Sequence, residues 1–519
     1  MAGLIDEIGI VEILNERLGI DPREKVSTGV IVKAMILNGL GFVSAPLYLF
    51  EQFFQGKATE QLLGWGVKPE YLNDDRLGNA LDEIEAGGLS ELFLAVSLAA
   101  ADKFEVKRET AHLDSTSFHV DGTYGNSEPG AIEITYGYSR DHRPDLKQFI
   151  MNLICVGDAD IPVLMEIASG NQSDKARFAQ LFQDFSQQWT FEGLCVADGA
   201  LYSADNLTAM TGLKWLTRVP LSIKAAATLV DEMVELKPSA IKGYNLSESI
   251  NEYAGVEQRW LLIESEQRRK SDLNQLAKKI ERHQQKSQQE LKQLSAIEFA
   301  CIADATVAAQ QLSQQMTWHQ LAEIKIVEKS HYDKAGKPKP DAVPTRISYR
   351  VTGMVIAIDI ELAAQRTRCG RFILATNVLD PKHLSASDAL REYKAQQGVE
   401  RGFRFLKDPL FFASSVFLKS PKRIAALGMI MALCLLVYNL GQRQLRQALA
   451  QEGETIPNQL GKPTDSPTLR WVFQCFMAVH LVVFQGVQQI VNLTDERQHI
   501  LRFFSDACRH YYLLPTPHS

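Results

Sequence analysis

The feature that most constrains this chain is a change of apolar rhythm at about residue 105. Before it, IDEIGIVEILNERLG, VSTGVIVKAMILNGL and SELFLAVSLAAADKF space their apolar residues at the 3.6-residue period of a helix, with turn signals between them. From Thr110 the chain turns to short β-type segments, ETAHLDSTSFHV, AIEITYGYS, QFIMNLICVG and IPVLMEIAS, each bounded by Gly, Pro or Asp. A helix (KARFAQLFQDFSQQW), a strand (GLCVADG), a short helix (SADNLTAM) and a strand (LKWLTRV) follow. A run of strands followed by alternating helix and strand dictates a mixed α/β sheet.

This rhythm is interrupted from about residue 221 to 370. The polar segment EQRRKSDLNQLAKKIERHQQKSQQELKQLSAIEF carries Leu273, Leu276 and Ile280, then Leu291, Leu294 and Ile297, at helical spacing, which predicts a helical hairpin or short coiled coil. IKIVEK and RISYRVTGMVIAI flank the loop DKAGKPKPDAVP as a β-hairpin with a flexible tip. The sheet is expected to resume at RFILATNV and to pass into a helix capped by Ser385 or Ser387. The expected organisation is a helical region at 1–105, suited to end recognition, dimerisation or capping. A core follows at 106–220 and 371–417, with an α+β insertion at 221–370 and a helical region at 418–519. A meander of strands preceding strands interleaved with helices fits an RNase H-like sheet.

The helix after the last strand, SDALREYKAQQGVERGFRFLKDPL, divides into two faces at 100° per residue. Tyr393, Gln396, Gln397, Glu400, Arg404 and Lys407 fall on one, while Ala395, Val399, Gly402, Phe403, Leu406 and Leu410 fall on the other. One face can pack while the other meets a ligand. Basic and amide side chains suit nucleic-acid phosphates, and Glu400 among them is the unusual member. Spacing alone also allows a solvated surface with a weak Glu400–Arg404 pair.

Composition narrows the partners. A formal net charge of −7 over 519 residues argues against a general coat of basic charge, so nucleic-acid binding must come from local patches. One such patch runs from Arg391 to Arg423, where eight basic residues face three acidic ones. The seven cysteines include no C-x-x-C and no zinc spacing, and read as reduced core residues of a cytoplasmic protein. The N-terminus lacks the basic flank of a secretory signal. The apolar run Ile424–Leu440 is short, contains Tyr438 and Asn439, and suits a buried helix better than a membrane span.

Two aspartates have similar settings. Asp114 lies within HLDSTSFHV, and Asp198 ends CVADGA just before a helix, where open α/β sheets keep their active sites. A turn or helix-cap role remains open for each, as it does for Asp174. Together with Glu400 they offer three carboxylates. Brought together, these would raise one another's pKa unless a cation lay among them. Mg²⁺, or Mn²⁺ in its place, takes such hard oxygen ligands. Two ions roughly 3.5–4 Å apart serve in-line phosphoryl displacement, with Asp114 shared and Asp198 and Glu400 as outer ligands. His112 would share the Asp114 strand face, near the metals or simply packed. Asn171 and Asp174 would order the loop after the third β segment.

In these residues the chain resembles the DDE transposases of the insertion-sequence-4 type, closest to the 1634-type branch. The signature Y-x₂-R-x₃-E-x₆-K is met by Tyr393, Glu400 and Lys407, with Gln396 at the Arg position. His112–Ser117, Gly170–Asp174, the A-D-G around Asp198 and Thr376–Asn377 are similar to strings of the same branch. The resemblance covers about residues 105–440 and implies an RNase H-like catalytic domain with an insertion between the second and third carboxylates.

It further implies Mg²⁺-dependent nicking of double-stranded DNA at terminal inverted repeats, a hairpin intermediate and strand transfer into target DNA, carried out by a homodimer without a membrane. Tyr393 and Lys407 would contact phosphates. Gln396 keeps hydrogen bonding without charge, for which Arg401 or Arg404 would compensate. Trp260 and Trp318 are candidates for stacking a displaced base, against core packing. The competing expectations are a catalytically silent DNA-binding remnant, for which Gln396 and an early start at Met1 leave room, and a nuclease that never joins strands.

Overall fold

The structure is a computed structural model that describes residues 1–41, 49–122, 124, 129–139, 141, 143–333, 343–408 and 418–514. Leu410 and most of the DKAGKPKPDAVP loop lie outside the described residues. The chain divides into two compact units. One is Met1–Thr217 with Tyr253–Val256 and Ala389–Ser519, and the other is Arg218–Glu252 with Glu257–Asp388.

The first unit opens, as its 3.6-residue spacing requires, with helices α1 (Ala2–Ile8), α2 (Ile10–Leu18), α3 (Thr28–Gly39), α4 (Phe50–Phe54), α5 (Thr59–Leu63), α6 (Asp74–Ala86) and α7 (Leu89–Lys103). Asn73 caps α6, its side chain accepting from the Arg76 N–H at 3.0 Å. The sheet follows as β1 (Thr110–Val120), β2 (Lys147–Val156) and β3 (Ile161–Ser169), then α8 (Asp174–Trp189), β4 (Leu194–Ala197), α9 (Ala204–Ala209) and β5 (Lys214–Arg218). Within this unit the strands lie in the order β3-β2-β1-β4-β5. β1–β2 and β2–β3 are antiparallel, whereas β1–β4 and β4–β5 are parallel, so the sheet is mixed. α7 packs against β3, where Ser97 donates to the Val163 carbonyl at 2.9 Å and Ser90 to that of Met165 at 3.0 Å.

One expected strand is absent. AIEITYGYS forms only a single bridge, Thr135 to Gln148 of β2. α8 starts at Asp174 behind Ser173, and the Asp174 side chain lies outside those described.

The second unit comprises α10 (Lys224–Asp231), β6 (Lys237–Pro238), β7 (Tyr244–Tyr253), β8 (Val256–Ser265), α11 (Glu266–Ala296), α12 (Ile302–Gln315), β9 (His319–His331), β10 (Arg346–Ala357), α13 (Asp359–Arg368) and β11 (Arg371–Thr376). β9 and β10 form the hairpin expected around the loop. The polar segment differs from expectation: α11 is one uninterrupted helix of 31 residues, and the turn to α12 comes only after Ala296. No Gly or Pro interrupts Glu266–Ala296, so nothing in the backbone stops it earlier. RFILATNV was expected to resume the first sheet. It forms the expected strand, β11, which pairs antiparallel with β8, Ala375 opposite Trp260.

Returning to the first unit, the expected single helix over 387–410 is two: α14 (Ala386–Ala395) and α15 (Gln397–Leu406). The Ser385 hydroxyl accepts from the Asp388 N–H at 3.1 Å, which fixes the start of α14. The break at Gln396 resets the phase of the two faces. Val399, Gly402, Phe403 and Leu406 are buried as expected, but Ala395 is exposed and Gln396 is buried. α16 (Pro421–Glu452) begins with Pro at its first position and ends at Gly453 in the left-handed conformation. It is the one described helix long and apolar enough to cross a membrane, and 94% of its most apolar window is buried. It packs against α3, α6, α7 and β3, which is how a run apolar on every side is used.

The last hundred residues are not wholly helical. β12 (Ile456–Pro457) pairs with β13 (Pro463–Thr464), and beyond α17 (Leu469–Phe476) β14 (His480–Phe484) pairs with β15 (Val487–Val491). Gln485 and Gly486, at φ of 50° and 80°, turn that second hairpin, as a two-residue loop demands. α18 (Asp495–Arg502) and α19 (Asp506–His510) close the described chain.

Gly398 marks where α15 meets the β2–β3 turn. A Cβ there would lie 1.9 Å from both carboxylate oxygens of Asp160, so any larger residue would force the partly buried Asp160 side chain to shift. Gly398→Ala should destabilise the protein by about 1–3 kcal/mol, and Asp160→Gly in the same chain should restore most of the loss. Urea unfolding of the three variants measures this, and strictly additive losses would contradict the contact.

Burial pushes the Asp160 carboxyl up to about 6, against Arg401, which lowers it. The N-terminus of α15 also favours the charged form and offsets part of the burial cost. An acid whose folded pKa is raised costs stability above that pKa, and the cost fades as pH falls from about 6 through the unfolded value. Asp160→Asn should therefore raise the thermal midpoint at pH 8 and leave it unchanged below pH 4. A gain confined to acid would contradict this.

Candidate active site

The parallel register of β1 and β4 sets the site. Leu113 pairs with Ala197, so Asp114 and Asp198 are the next residues on neighbouring strands, about 5 Å apart along the hydrogen-bonding direction. Paired positions on parallel strands project to the same face, and both side chains are half-buried there. Each carboxylate is oriented by its own backbone. Asp114 Oδ1 accepts from the Ser115 N–H at 2.8 Å and Asp198 Oδ1 from the Ala200 N–H at 2.9 Å. The Thr217 hydroxyl of β5 donates to the Asp198 carbonyl at 2.6 Å, tying down the strand end.

His112, Asp114, Thr116 and Phe118 share one face of β1, and α14 and α15 lie along it. His112 Nε2 donates to the Glu392 carbonyl at 3.0 Å. Gln396 Nε2 donates to the Leu113 carbonyl at 3.4 Å. Lys407 Nζ stands 5.7 Å from the centre of the Phe118 ring. These three contacts advance together, so helix and strand run in the same direction. Glu400, within α15, is exposed.

Asp114 and Asp198 are neighbours across the β1–β4 pairing, while Glu400 stands exposed on α15. Among the described residues no three His, Cys, Asp or Glu side chains are gathered as a metal site. Asp114 and Asp198 nevertheless suit a divalent ion, being adjacent, half-buried hard oxygen donors whose mutual repulsion a cation relieves.

The other expected site residues divide sharply. Tyr393 is half-buried, and Arg401 and Arg404 are exposed. Gln396 is buried at 7% exposure and holds a backbone carbonyl, so it serves the helix–strand contact rather than an open phosphate-binding face. Lys407 pairs with Asp141 at 2.6 Å. Arg401 stands 3.6 Å from Asp160, 100° round α15 from Glu400. Trp260 is buried at 2% exposure, its indole N–H on Gln258, and Trp318 packs on His283 with ring centres 4.7 Å apart; both belong to the second unit. Asn171 is exposed.

Three residues were not found by reading the sequence. Glu392 has its carboxylate 3.9 Å from His112 Nε2, Asp141 lies 3.6 Å from His119 Nδ1 as well as holding Lys407, and Asp160 underlies Gly398. The pairing of His112 and Asp114 on one strand face was the only signal for the first. Burial holds the His112 imidazole below its usual range and so neutral, against the Glu392 carbonyl and carboxylate, which raise it.

Residues 107–439 match the family described as Transposase DDE domain, and residues 1–98 match a domain of unknown function (DUF4277). No curated protein matches the sequence. Among solved structures the chain is similar to a piggyBac transposase in a synaptic complex with hairpin DNA, at 9% identity and a TM-score of 0.39, over 99% of this chain and 80% of that one. The family match spans well over half the chain and includes Asp114, Asp198 and Glu400, so the chain belongs to the Transposase DDE domain family.

Proposed function

We propose that the chain is a DNA transposase of the insertion-sequence-4 type, near the 1634-type branch, in which Asp114, Asp198 and Glu400 form the acidic triad. The observation that carries this is the parallel β1–β4 register, which sets two carboxylates side by side beneath the helix bearing Glu400. The antiparallel meander β1–β3 followed by the helix-interleaved strands β4 and β5 supports an RNase H-like core. Asp114 and Asp198 would hold the divalent ions, Mg²⁺ or Mn²⁺, and Glu400 would join them when DNA draws the helix flank inward. Two such ions, when bound, activate the attacking hydroxyl and steady the leaving oxygen of an in-line displacement.

The chain's own residues orient the DNA. Lys407 would exchange Asp141 for a backbone phosphate of the cleaved end, Tyr393 would donate a hydrogen bond beside it, and Arg404 would supply the charge that Gln396 lacks. Neutral His112 keeps the helix seated on β1 through the Glu392 carbonyl. The substrate is double-stranded DNA at terminal inverted repeats. A homodimer in the cytoplasm would nick each end, close a hairpin, open it and join the freed end to target DNA.

Asp114→Ala, Asp198→Ala and Glu400→Ala should each lower cleavage of a supercoiled donor plasmid at least about a hundredfold, with duplex retention kept. Cleavage surviving in any one of them would overturn the triad. Wild-type protein that retains DNA without nicking it in Mg²⁺ would instead favour a silent binding protein, and nicks without joined products a nuclease.

Lys407→Ala should weaken binding of cleaved-end DNA several-fold and lower the salt dependence by about one phosphate contact. An unchanged salt slope, measured by fluorescence anisotropy across a salt series, would remove Lys407 from the interface.

A further inference from the structure

On the other flank of α15, away from the carboxylates, the first unit holds a polar cleft of about 620 Å³ between α15, α16 and the β2–β3 turn. Two guanidinium groups line it with charge to spare. Arg446 is half-buried, and its one hydrogen bond among the described residues runs from Nε to the Pro467 carbonyl at 2.9 Å. Burial, and the second cation Arg401, weaken its hold on the proton, against the Tyr438 hydroxyl, which strengthens it. Arg401 has only the 3.6 Å approach of Asp160, and its side chain is 67% exposed. A third lining cation, Arg443, is fully engaged by Asp158 and the Phe104 and Glu105 carbonyls. It is structural.

Two cations that repel one another across a concave polar surface, one of them half-buried without a carboxylate, are arranged for an anion to bridge. The Pro467 carbonyl takes only Nε of Arg446, so the two terminal nitrogens of that guanidinium are the groups an anion would meet. We propose that this cleft binds a phosphate group, with Arg401 and Arg446 as its two ligands. Guanidinium groups meet phosphate oxygens in a bidentate fork, which suits them better than a lysine for this task. Phe405 and Tyr438, with ring centres 4.3 Å apart, form an apolar wall behind the site. Asp160 is the counterweight, and its raised pKa weakens its claim on Arg401.

The phosphate could belong to a DNA backbone or to a free phosphoryl anion. The first source rests on the transposase reading and would give the DNA a second anchor on the helix that carries Glu400. The test uses the full-length protein with Arg446→Gln, Arg401→Gln and the charge-preserving Arg446→Lys, all checked for an unchanged thermal midpoint. The probes are a 30-base-pair duplex across a salt series and, separately, inorganic phosphate by calorimetry.

For a backbone phosphate, each Gln variant should weaken duplex binding several-fold and reduce the slope of log K against log salt by about 0.9, with Arg446→Lys recovering most of the slope. For a free anion, duplex binding should be unchanged and the Gln variants should lose phosphate binding that the wild type shows. Folded variants that alter neither would overturn the proposal. Wild-type protein that binds phosphate at Arg446 but never retains or cleaves DNA would overturn the transposase reading and leave this site standing.

Discussion

The structure depends on the parallel pairing of β1 with β4. Four residues on each strand are in register, from Thr110 opposite Leu194 to Leu113 opposite Ala197. They are buried or nearly so on both faces, so the pairing sits inside the core. The next position on each strand is an aspartate. The same hydrophobic constraint that aligns the sheet thus forces two carboxylates into adjacency, and their repulsion is a cost that folding accepts and a divalent cation removes.

The helical layer packs α15 by one face and leaves Glu400 exposed on it. Phe403, Val399 and Leu406 anchor α15, while Gln396 and His112 stitch the segment to β1 through backbone carbonyls. Gly398 lets the β2–β3 turn press against the first turn of α15, so the helix is clamped from both sides. Glu400 remains on the exposed edge between these contacts. Such a placement leaves the side chain free to rotate on a fixed backbone, which suits a ligand that joins its partners when substrate arrives.

Much of this was legible in the residues. The alternation of Thr110–Val120 and the apolar runs of β2 and β3 fixed the meander, and the Y-x₂-Q-x₃-E-x₆-K spacing singled out the helix that lies on β1. What could not be read were consequences of tertiary contact. The chain breaks at Gln396, whose side chain meets the Leu113 carbonyl, so periodicity carried through 387–410 misassigns Ala395 and Gln396. The hairpin of β14 and β15 was lost in a region read as helical, although Gln485-Gly486 between two apolar runs was a turn signal. Trp260 illustrates the limit of composition, since an aromatic suited to stacking a base is equally suited to the core, and burial decided.

The central claim is that Asp114, Asp198 and Glu400 act together on divalent ions once DNA is bound. Electron paramagnetic resonance of Mn²⁺ titrated into the protein with a nicked DNA end tests it directly. The account predicts tight Mn²⁺ binding that Asp114→Asn and Asp198→Asn abolish and that Glu400→Gln weakens only when DNA is present. Mn²⁺ binding unchanged in the two aspartate variants would contradict it.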